Sequence, residues 1–306
     1  MVETSDEWIR ERTGIGERHV SVGETVVTLA SEAARKALEQ AGKRAEEIDL
    51  ILVATCSPEQ YLPCCACQVQ ADIGAVNALA FDVNAACSGF LFALNTAEAY
   101  LRTGLAENAL IIGSEVLSKL VDWTDRSSCI LFGDGAGAVV VERCGAESRA
   151  VEYGNTFSET EKGMQNTTAE EKRIPAGILG RALHSDGTGG GVLQCEAREL
   201  TTPYAGTSAA KADQNQPMDG REHYIQMDGQ EVYRFATRRV PQCIEEALSD
   251  AGLDVPDIDM FVLHQANARI IDAVAKRLHA DREKFPTNLE RVGNLSSASI
   301  PVLLDE

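Results

Sequence analysis

Positive charge is scarce in this 306-residue chain: 28 Lys and Arg stand against 47 Asp and Glu, a formal net charge of −19. Phosphate backbones and anionic membranes repel such a chain, so neither nucleic acid nor membrane is an expected partner, and an acidic partner would need a local basic patch. No run approaches the roughly 18 apolar residues of a membrane span, and Met1-Val2-Glu3-Thr4-Ser5-Asp6 lacks the basic and apolar parts of a signal peptide. The chain therefore reads as cytosolic. Its nine cysteines are odd in number and thinly spread, which argues against a disulfide framework and for reduced thiols. Compositional bias is missing too: 44% hydrophobic and 25% charged residues exclude wholesale disorder and collagen. The length allows one large α/β domain or two of ordinary size.

What is present is an alternation of strand and helix patterns. Apolar runs Leu50-Ile51-Leu52-Val53, Leu79-Ala80-Phe81-Asp82-Val83 and Leu110-Ile111-Ile112 are separated by helical stretches at 28–41, 65–73 and 88–103. Gly42, Gly74 and Gly104 follow those helices as stops, giving the pattern of βαβ units and a mainly parallel sheet. The stretch Phe132-Gly133-Asp134-Gly135-Ala136-Gly137 invites a phosphate-binding reading. It leads into the β-branched Ala138-Val139-Val140-Val141 and not into a helix, so a tight turn between strands is expected there. Segments 145–176 and 194–222 are polar, lack apolar periodicity and read as surface excursions.

The chain also repeats itself. Residues 37–56 align without gaps to 247–266, an offset of 210, with six identities: Ala37/Ala247, Leu38/Leu248, Ala41/Ala251, Gly42/Gly252, Ile48/Ile258 and Asp49/Asp259. The same order then continues as helix 267–279, a short strand near Phe285-Leu289 and a helix beginning near Asn294. Two similar α/β halves follow from this, with bounds 1–145 and 223–306, the excursions and the start of the second half filling 146–222. The first half has two further strands, 108–113 and 137–142, that the second does not reach before Glu306. The second half has Gly177-Ile178-Leu179-Gly180-Arg181-Ala182-Leu183 available as an opening strand that the first half lacks.

Three residues carry candidate chemistry. Cys87, in Asn84-Ala85-Ala86-Cys87-Ser88-Gly89-Phe90, falls between a buried strand and an apolar helix, where free N–H groups and the helix dipole stabilise a thiolate. Taken alone, a cysteine beside a helix is more often an inert core thiol. His264, in His264-Gln265-Ala266-Asn267, follows the expected strand Met260-Phe261-Val262-Leu263 at the end where α/β sites are built. By itself it is as readily structural as catalytic. Asn294, in Gly293-Asn294-Leu295-Ser296-Ser297, opens the third helix of the second half, nearly at the place of Cys87 in the first, and alone it is most often an N-cap. Facing halves would bring all three to one centre.

Together these stretches, with Thr4-Ser5-Asp6-Glu7-Trp8-Ile9, Arg12-Thr13-Gly14-Ile15 and Ala298-Ser299-Ile300-Pro301, resemble β-ketoacyl-acyl-carrier-protein synthase III, the initiating condensing enzymes of fatty acid synthesis. The resemblance covers nearly the whole chain. It implies a thiolase-like α/β fold of two duplicated halves, layers of helices and mainly parallel or mixed sheets. It also implies that Cys87 takes an acyl group from acyl-coenzyme A, and that malonyl-carrier protein then decarboxylates and attacks the thioester. His264 and Asn294 would be neutral donors to the oxygen on which the enolate charge develops. Trp8 and Arg126 would stack around the coenzyme A adenine, with Arg12 nearby and Asn267 on the pantetheine tunnel. Leu62 would reach across a homodimer interface to shape the acyl pocket, and a leucine there points to acyl groups longer or more branched than acetyl. The acidic carrier protein would meet Gln265, Arg269, Lys276, Arg277 and Arg234, while Arg238 and Arg239 read equally as a solvated charged face.

No metal or cofactor is implied, coenzyme A thioester being a substrate. Cys64-Cys65-Ala66-Cys67 has no second Cys-x-x-Cys or His pair to complete a zinc site and is expected to pack at the entrance of helix 65–73. The resemblance further implies a core strand ahead of Thr4, and a Gly-rich loop with final strands beyond Glu306, so the chain reads as truncated at both ends. A related condensing enzyme of polyketide or quinolone starter synthesis, and a non-catalytic carrier-binding protein of the same fold, are the alternatives.

Overall fold

A computed structural model describes residues 2–144, 177–196 and 223–306. The excursion expected at 145–176 and most of that at 194–222 lie outside the described residues. Ser5 accepts a hydrogen bond from the Trp8 N–H and starts helix α1 (Asp6–Thr13), which left-handed Gly14 ends. Helix α2 (Val26–Ala41) opens on a capping box between Thr25 and Thr28 and closes at left-handed Gly42. Strand β1 (Leu50–Ala54) is buried at every residue, as a parallel strand covered on both faces must be. Helix α3 (Cys65–Ile73) has no side-chain cap of its own. Instead, Asp82 of strand β2 (Leu79–Val83) accepts the Cys65 and Ala66 N–H groups at 2.8 and 2.7 Å, placing a carboxylate on the helix N-terminus.

Helix α4 (Gly89–Thr103), strand β3 (Asn108–Val116), the one-turn helix α5 (Arg126–Cys129) and strand β4 (Asp134–Glu142) complete the first half. The strands pair in the order β2-β1-β3-β4, the first three parallel and β4 antiparallel to β3. Val26, Ala30 and Ala34 of α2 and Val69 of α3 pack with Ile51, Val53, Leu110 and Ile112 on one face of the sheet. Phe90, Ala93 and Ala97 of α4 pack with Leu50, Leu52 and Ile111 on the other. The sheet is thus the middle layer of a three-layer core.

The second half contributes a two-residue ladder of β5 (Leu193–Gln194) with β6 (Gln226–Met227), then α6 (Gly229–Ala251), α7 (Ala268–Arg277), α8 (Leu289–Val292) and α9 (Ser299–Asp305). Pro241 stands inside α6, so the Thr237 carbonyl one turn earlier has no helical N–H to receive, and Arg277 of α7 turns its guanidinium toward it. Helix α9 lies on β4, and Ile300 joins the α4 side of the core.

The strands expected at 177–183, 260–263 and 285–289 do not form. Phe261 donates to the Lys284 carbonyl at 2.7 Å, joining two extended segments at one point, and no ladder of successive bonds follows among the described residues. Residues 177–183 lie against α6 instead: a Cβ on Gly180 would come within 2.3 Å of the Ala247 carbonyl oxygen, and the Arg181 N–H donates to Asp250. Arg181 also reaches the buried Glu98 of α4 at 2.7 Å. The Gly-rich stretch is likewise not a turn between strands. Asp134 already begins β4, and a Cβ on Gly133 or Gly137 would come within 2.7 Å of the Val292 carbonyl or 2.6 Å of the Val302 nitrogen. Those glycines make room for the second half.

Candidate active site

The site is built on two turns of one design. The Asn84 side chain accepts the Ala86 N–H at 3.3 Å, and the Asn294 side chain accepts the Ser296 N–H at 2.9 Å. Each asparagine leads into a tight 3-10 turn, Ala86–Ser88 or Ser296–Ala298, that runs directly into α4 or α9. Ala86 and Ser296 both take left-handed backbone, φ 45° and 48°, a conformation that non-glycine residues hold only when the surroundings enforce it. The offset of 210 thus runs on through the turns and corrects the expected equivalence: Asn294 matches Asn84, and Cys87 matches Ser297. The turns pack against one another at the C-terminal ends of the parallel strands.

The second turn is locked into the first half. Asn294 donates its N–H to the Leu131 carbonyl and receives the Gly133 N–H, each at 3.0 Å. Its own burial is nearly complete. Val262, two residues before His264, packs into the cluster that holds Phe90, three residues after Cys87. Segments carrying all three candidate residues therefore converge on one end of the sheet.

Their electrostatics differ from expectation in one respect. Cys87 is half-buried, and desolvation pushes its thiol up; the negative charge of Glu115 acts in the same direction, against the Ser296 hydroxyl and the cysteine's own backbone N–H. The direction is opposite to the lowering expected of a helix N-terminus, because loss of water disfavours the thiolate. Ser296 faces the sulfurs of both Cys87 and Cys56 without completing a regular hydrogen bond. Burial alone pulls His264 down to about 4, so its ring is neutral at neutral pH, and its Nδ1 has no hydrogen-bond partner among the described residues.

Sequence reasoning missed Glu115. Within the run Ala109–Val116 every residue is buried, yet one is an acid. Its carboxylate receives the Ser57 hydroxyl at 2.5 Å, the Ser297 hydroxyl at 2.9 Å, and the Thr55 hydroxyl and Cys56 N–H at 3.1 Å each. Four hydrogen bonds from two halves of the chain thus hold this carboxyl group in place. A lone acid in an apolar strand pattern was the signal available.

The other expected residues divide into groups. Trp8, Arg12, Arg126 and Asn267 line one open cleft of about 1110 Å³. The Arg126 guanidinium lies 4.9 Å from the Trp8 ring centroid and that of Arg12 lies 5.7 Å away. Asn267 caps α7 and donates to the Arg12 carbonyl at 3.3 Å, which fixes α1 against α7. Leu62, beside a cis peptide to Pro63, is 85% exposed and is not part of that lining. Arg234, Arg269, Lys276 and Arg277 are exposed on α6 and α7, as is Arg238, whereas Arg239 is half-buried and bonded to Gln242. Gln265 is fully buried and donates to the Leu263 carbonyl, so its place on a carrier-protein surface is withdrawn. Among the described residues no group of three His, Cys, Asp or Glu could hold a metal ion, and no helix is long and apolar enough to cross a membrane. Cys65 is buried under Asp82 at the start of α3.

Two related α/β halves that meet at paired helix-starting turns form a thiolase-like architecture, and with a cysteine at one turn the class is that of the condensing acyltransferases. The comparisons make this particular. The family model described as 3-oxoacyl-[acyl-carrier-protein] synthase III matches residues 81–157, and that of its C-terminal region matches 248–306. β-Ketoacyl-[acyl-carrier-protein] synthase III of Clostridium acetobutylicum is 43% identical over 306 residues, covering 100% of this chain and 82% of the relative. The crystal structure of 3-oxoacyl-[acyl-carrier-protein] synthase III from Aquifex aeolicus superposes with a TM-score of 0.80 at 37% identity, covering 99% of this chain and 82% of that one. A priming β-ketosynthase of a polyketide pathway gives a TM-score of 0.78 at 32% identity, with coverage of 99% and 79%. The chain belongs to the β-ketoacyl-acyl-carrier-protein synthase III family. It is a condensing acyltransferase of the kind that initiates fatty acid synthesis.

Proposed function

We propose that Cys87 is the acyl acceptor, and that it passes the acyl group to malonyl-acyl-carrier protein. The observation that carries this is the packing of the Ala86–Ser88 turn on the Ser296–Ala298 turn, which sets Cys87 beside the segment holding Asn294. Cys87 Sγ attacks the thioester carbonyl of acyl-coenzyme A; the carbon–sulfur bond to Cys87 forms, that to coenzyme A breaks, and the thiol proton leaves with coenzyme A. In the second step the malonyl carboxylate departs as carbon dioxide, and its bonding pair passes into an enolate. The enolate carbon attacks the acyl carbonyl, and Cys87 leaves as thiolate. His264, neutral and with an unpartnered ring nitrogen, and Asn294 donate to the malonyl thioester oxygen while negative charge builds on it. Two half-reactions through one thioester predict ping-pong kinetics, and none of the steps calls on a cofactor or metal.

The cleft of Trp8, Arg12, Arg126 and Asn267 would take coenzyme A, its adenine entering between Trp8 and Arg126 by opening their present contact. Arg234, Arg269, Lys276 and Arg277 form the exposed basic face for the carrier protein on a chain that is otherwise strongly acidic. A homodimer is supported by β2, an edge strand of the described sheet, with Leu79, Leu91, Tyr61 and Leu62 exposed around it. Leu62 would then line the partner's acyl pocket and admit primers larger than acetyl. On this reading the protein works in the cytoplasm, the compartment the acidic, reduced-thiol sequence suggests. Starter synthesis for a polyketide is the second reading, favoured by the similarity to the priming ketosynthase.

Intact-protein mass spectrometry after incubation with a panel of acyl-coenzyme A thioesters tests the proposal. An acyl mass on the wild type and none on Cys87→Ala is expected. Acylation of both would refute it, as would a folded wild type that takes none. Comparing malonyl-carrier protein with malonyl-coenzyme A as the second substrate separates the two readings.

A further inference from the structure

Near Cys87 lies a buried carboxyl group that the reaction as described leaves idle. Glu115 is fully buried and sits on β3, between the two halves. Three of its donors, Thr55, Cys56 and Ser57, come from the end of β1, and the fourth, Ser297, comes from the second-half turn. The clamp is braced on both sides. Ser57 accepts the Val116 N–H at 2.9 Å while donating to Glu115, and Thr55 accepts the Ser57 N–H at 3.2 Å while doing the same. The Ser297 hydroxyl also lies 2.8 Å from the Ala54 carbonyl, the last residue of β1.

We infer that Glu115 is a positioning residue of the acylation step: its carboxylate clamps the Ser297 turn onto the end of β1 and holds a fixed negative charge behind Cys87. This rests on Cys87 as the acyl acceptor. The clamp sets Ser296, next in sequence to Ser297, against the Cys87 sulfur. The charge keeps Cys87 a thiol in the empty site. Groups acting on the Cys87 titration come from three sides: Glu115 on β3, Ser296 on the second turn and the cysteine's own N–H; Cys56, after β1, is coupled to the same pair. Among the described residues that act on this sulfur, none is cationic.

The test follows alkylation of the Cys87 peptide by iodoacetamide from neutral to alkaline pH, and single-turnover acylation by acyl-coenzyme A, with folding checked by circular dichroism. Glu115→Gln should move the alkylation midpoint about one pH unit lower, roughly tenfold faster reaction at neutral pH, and Glu115→Asp should return it to the wild-type value. Ser297→Ala keeps the charge and loses the clamp: its midpoint does not fall, and acylation slows about tenfold as the turn carrying Ser296 drifts. A role confined to stability would lower melting temperature and leave the midpoint in place. A folded Glu115→Gln with the wild-type midpoint overturns the inference, and so does Ser297→Ala acylating at the wild-type rate. Should Glu115→Gln not fold, the Ser297→Ala result decides. Alkylation needs no substrate, so a wild type that alkylates at Cys87 but takes no acyl group refutes the functional reading and not the role of the charge.

Discussion

Protonation of His264 should be visible as a loss of stability on mild acidification. An exposed imidazole titrates near 6.5, and burial pulls that of His264 down to about 4. The folded protein thus holds this ring neutral while the unfolded chain protonates it. The folded-state value lies below the unfolded one, so the stability is fully present above pH 6.5 and is lost as pH falls from 6.5 to about 4. At about 1.4 kcal/mol per pH unit, a displacement of about 2.5 units amounts to roughly 3 kcal/mol, a sizeable share of the 5–15 kcal/mol typical of a folded protein. Urea unfolding of wild type and His264→Asn, repeated across that pH interval, isolates the effect. The variant lacks the proton, so the difference between the two curves should be flat above pH 6.5 and change by about 3 kcal/mol below it, with the wild type losing more. Any constant loss from the substitution only offsets the curve. Parallel curves throughout would refute the burial argument. The same reasoning puts His264 in its neutral donor form at every pH of normal assay, so the acid limb of the rate profile should arise elsewhere.

Three further outcomes are expected. Gly113→Ala would set a Cβ 2.3 Å from the Ser297 carbonyl oxygen and 3.0 Å from Ala298 Cα, all backbone that cannot step aside; a destabilisation of about 1–3 kcal/mol, read as a melting temperature several degrees lower, should accompany slower acylation of Cys87. Asp82→Ala strips α3 of the acceptor for two N–H groups and should cost about 1.5–3 kcal/mol in chemical unfolding. It should also make Cys65 more reactive to thiol reagents, since the Asp82 charge adds to the burial that pushes that thiol up to about 12. Charge reversal at Arg269 together with Lys276 should raise KM for malonyl-carrier protein about tenfold, with a penalty that shrinks as salt is added, and leave acylation by acyl-coenzyme A unchanged.

Local signals were enough for the first half. Helices 28–41, 65–73 and 88–103 were legible within a residue or two of Val26–Ala41, Cys65–Ile73 and Gly89–Thr103, because apolar periodicity and the left-handed Gly42, Gly74 and Gly104 are written in consecutive residues. The motif around Cys87 and the repeat at 210 likewise marked where the site lies. Tertiary structure decided whatever depends on a partner distant in sequence. An extended run at 260–263 pairs only if a neighbour offers a ladder, and the neighbour near Lys284 offers one bond. Of the glycines that suggested a turn, Gly135 and Gly137 are strand residues, and Gly133 just ahead of the strand and Gly137 within it admit Val292 and Val302. Gln265 stands one residue from His264 in a polar stretch, yet it faces the interior. Most telling is Cys87: sequence places it at a helix N-terminus, but only the fold sets it against Ser296 and Glu115, and the balance of desolvation, hydroxyl and carboxylate there fixes its reactivity.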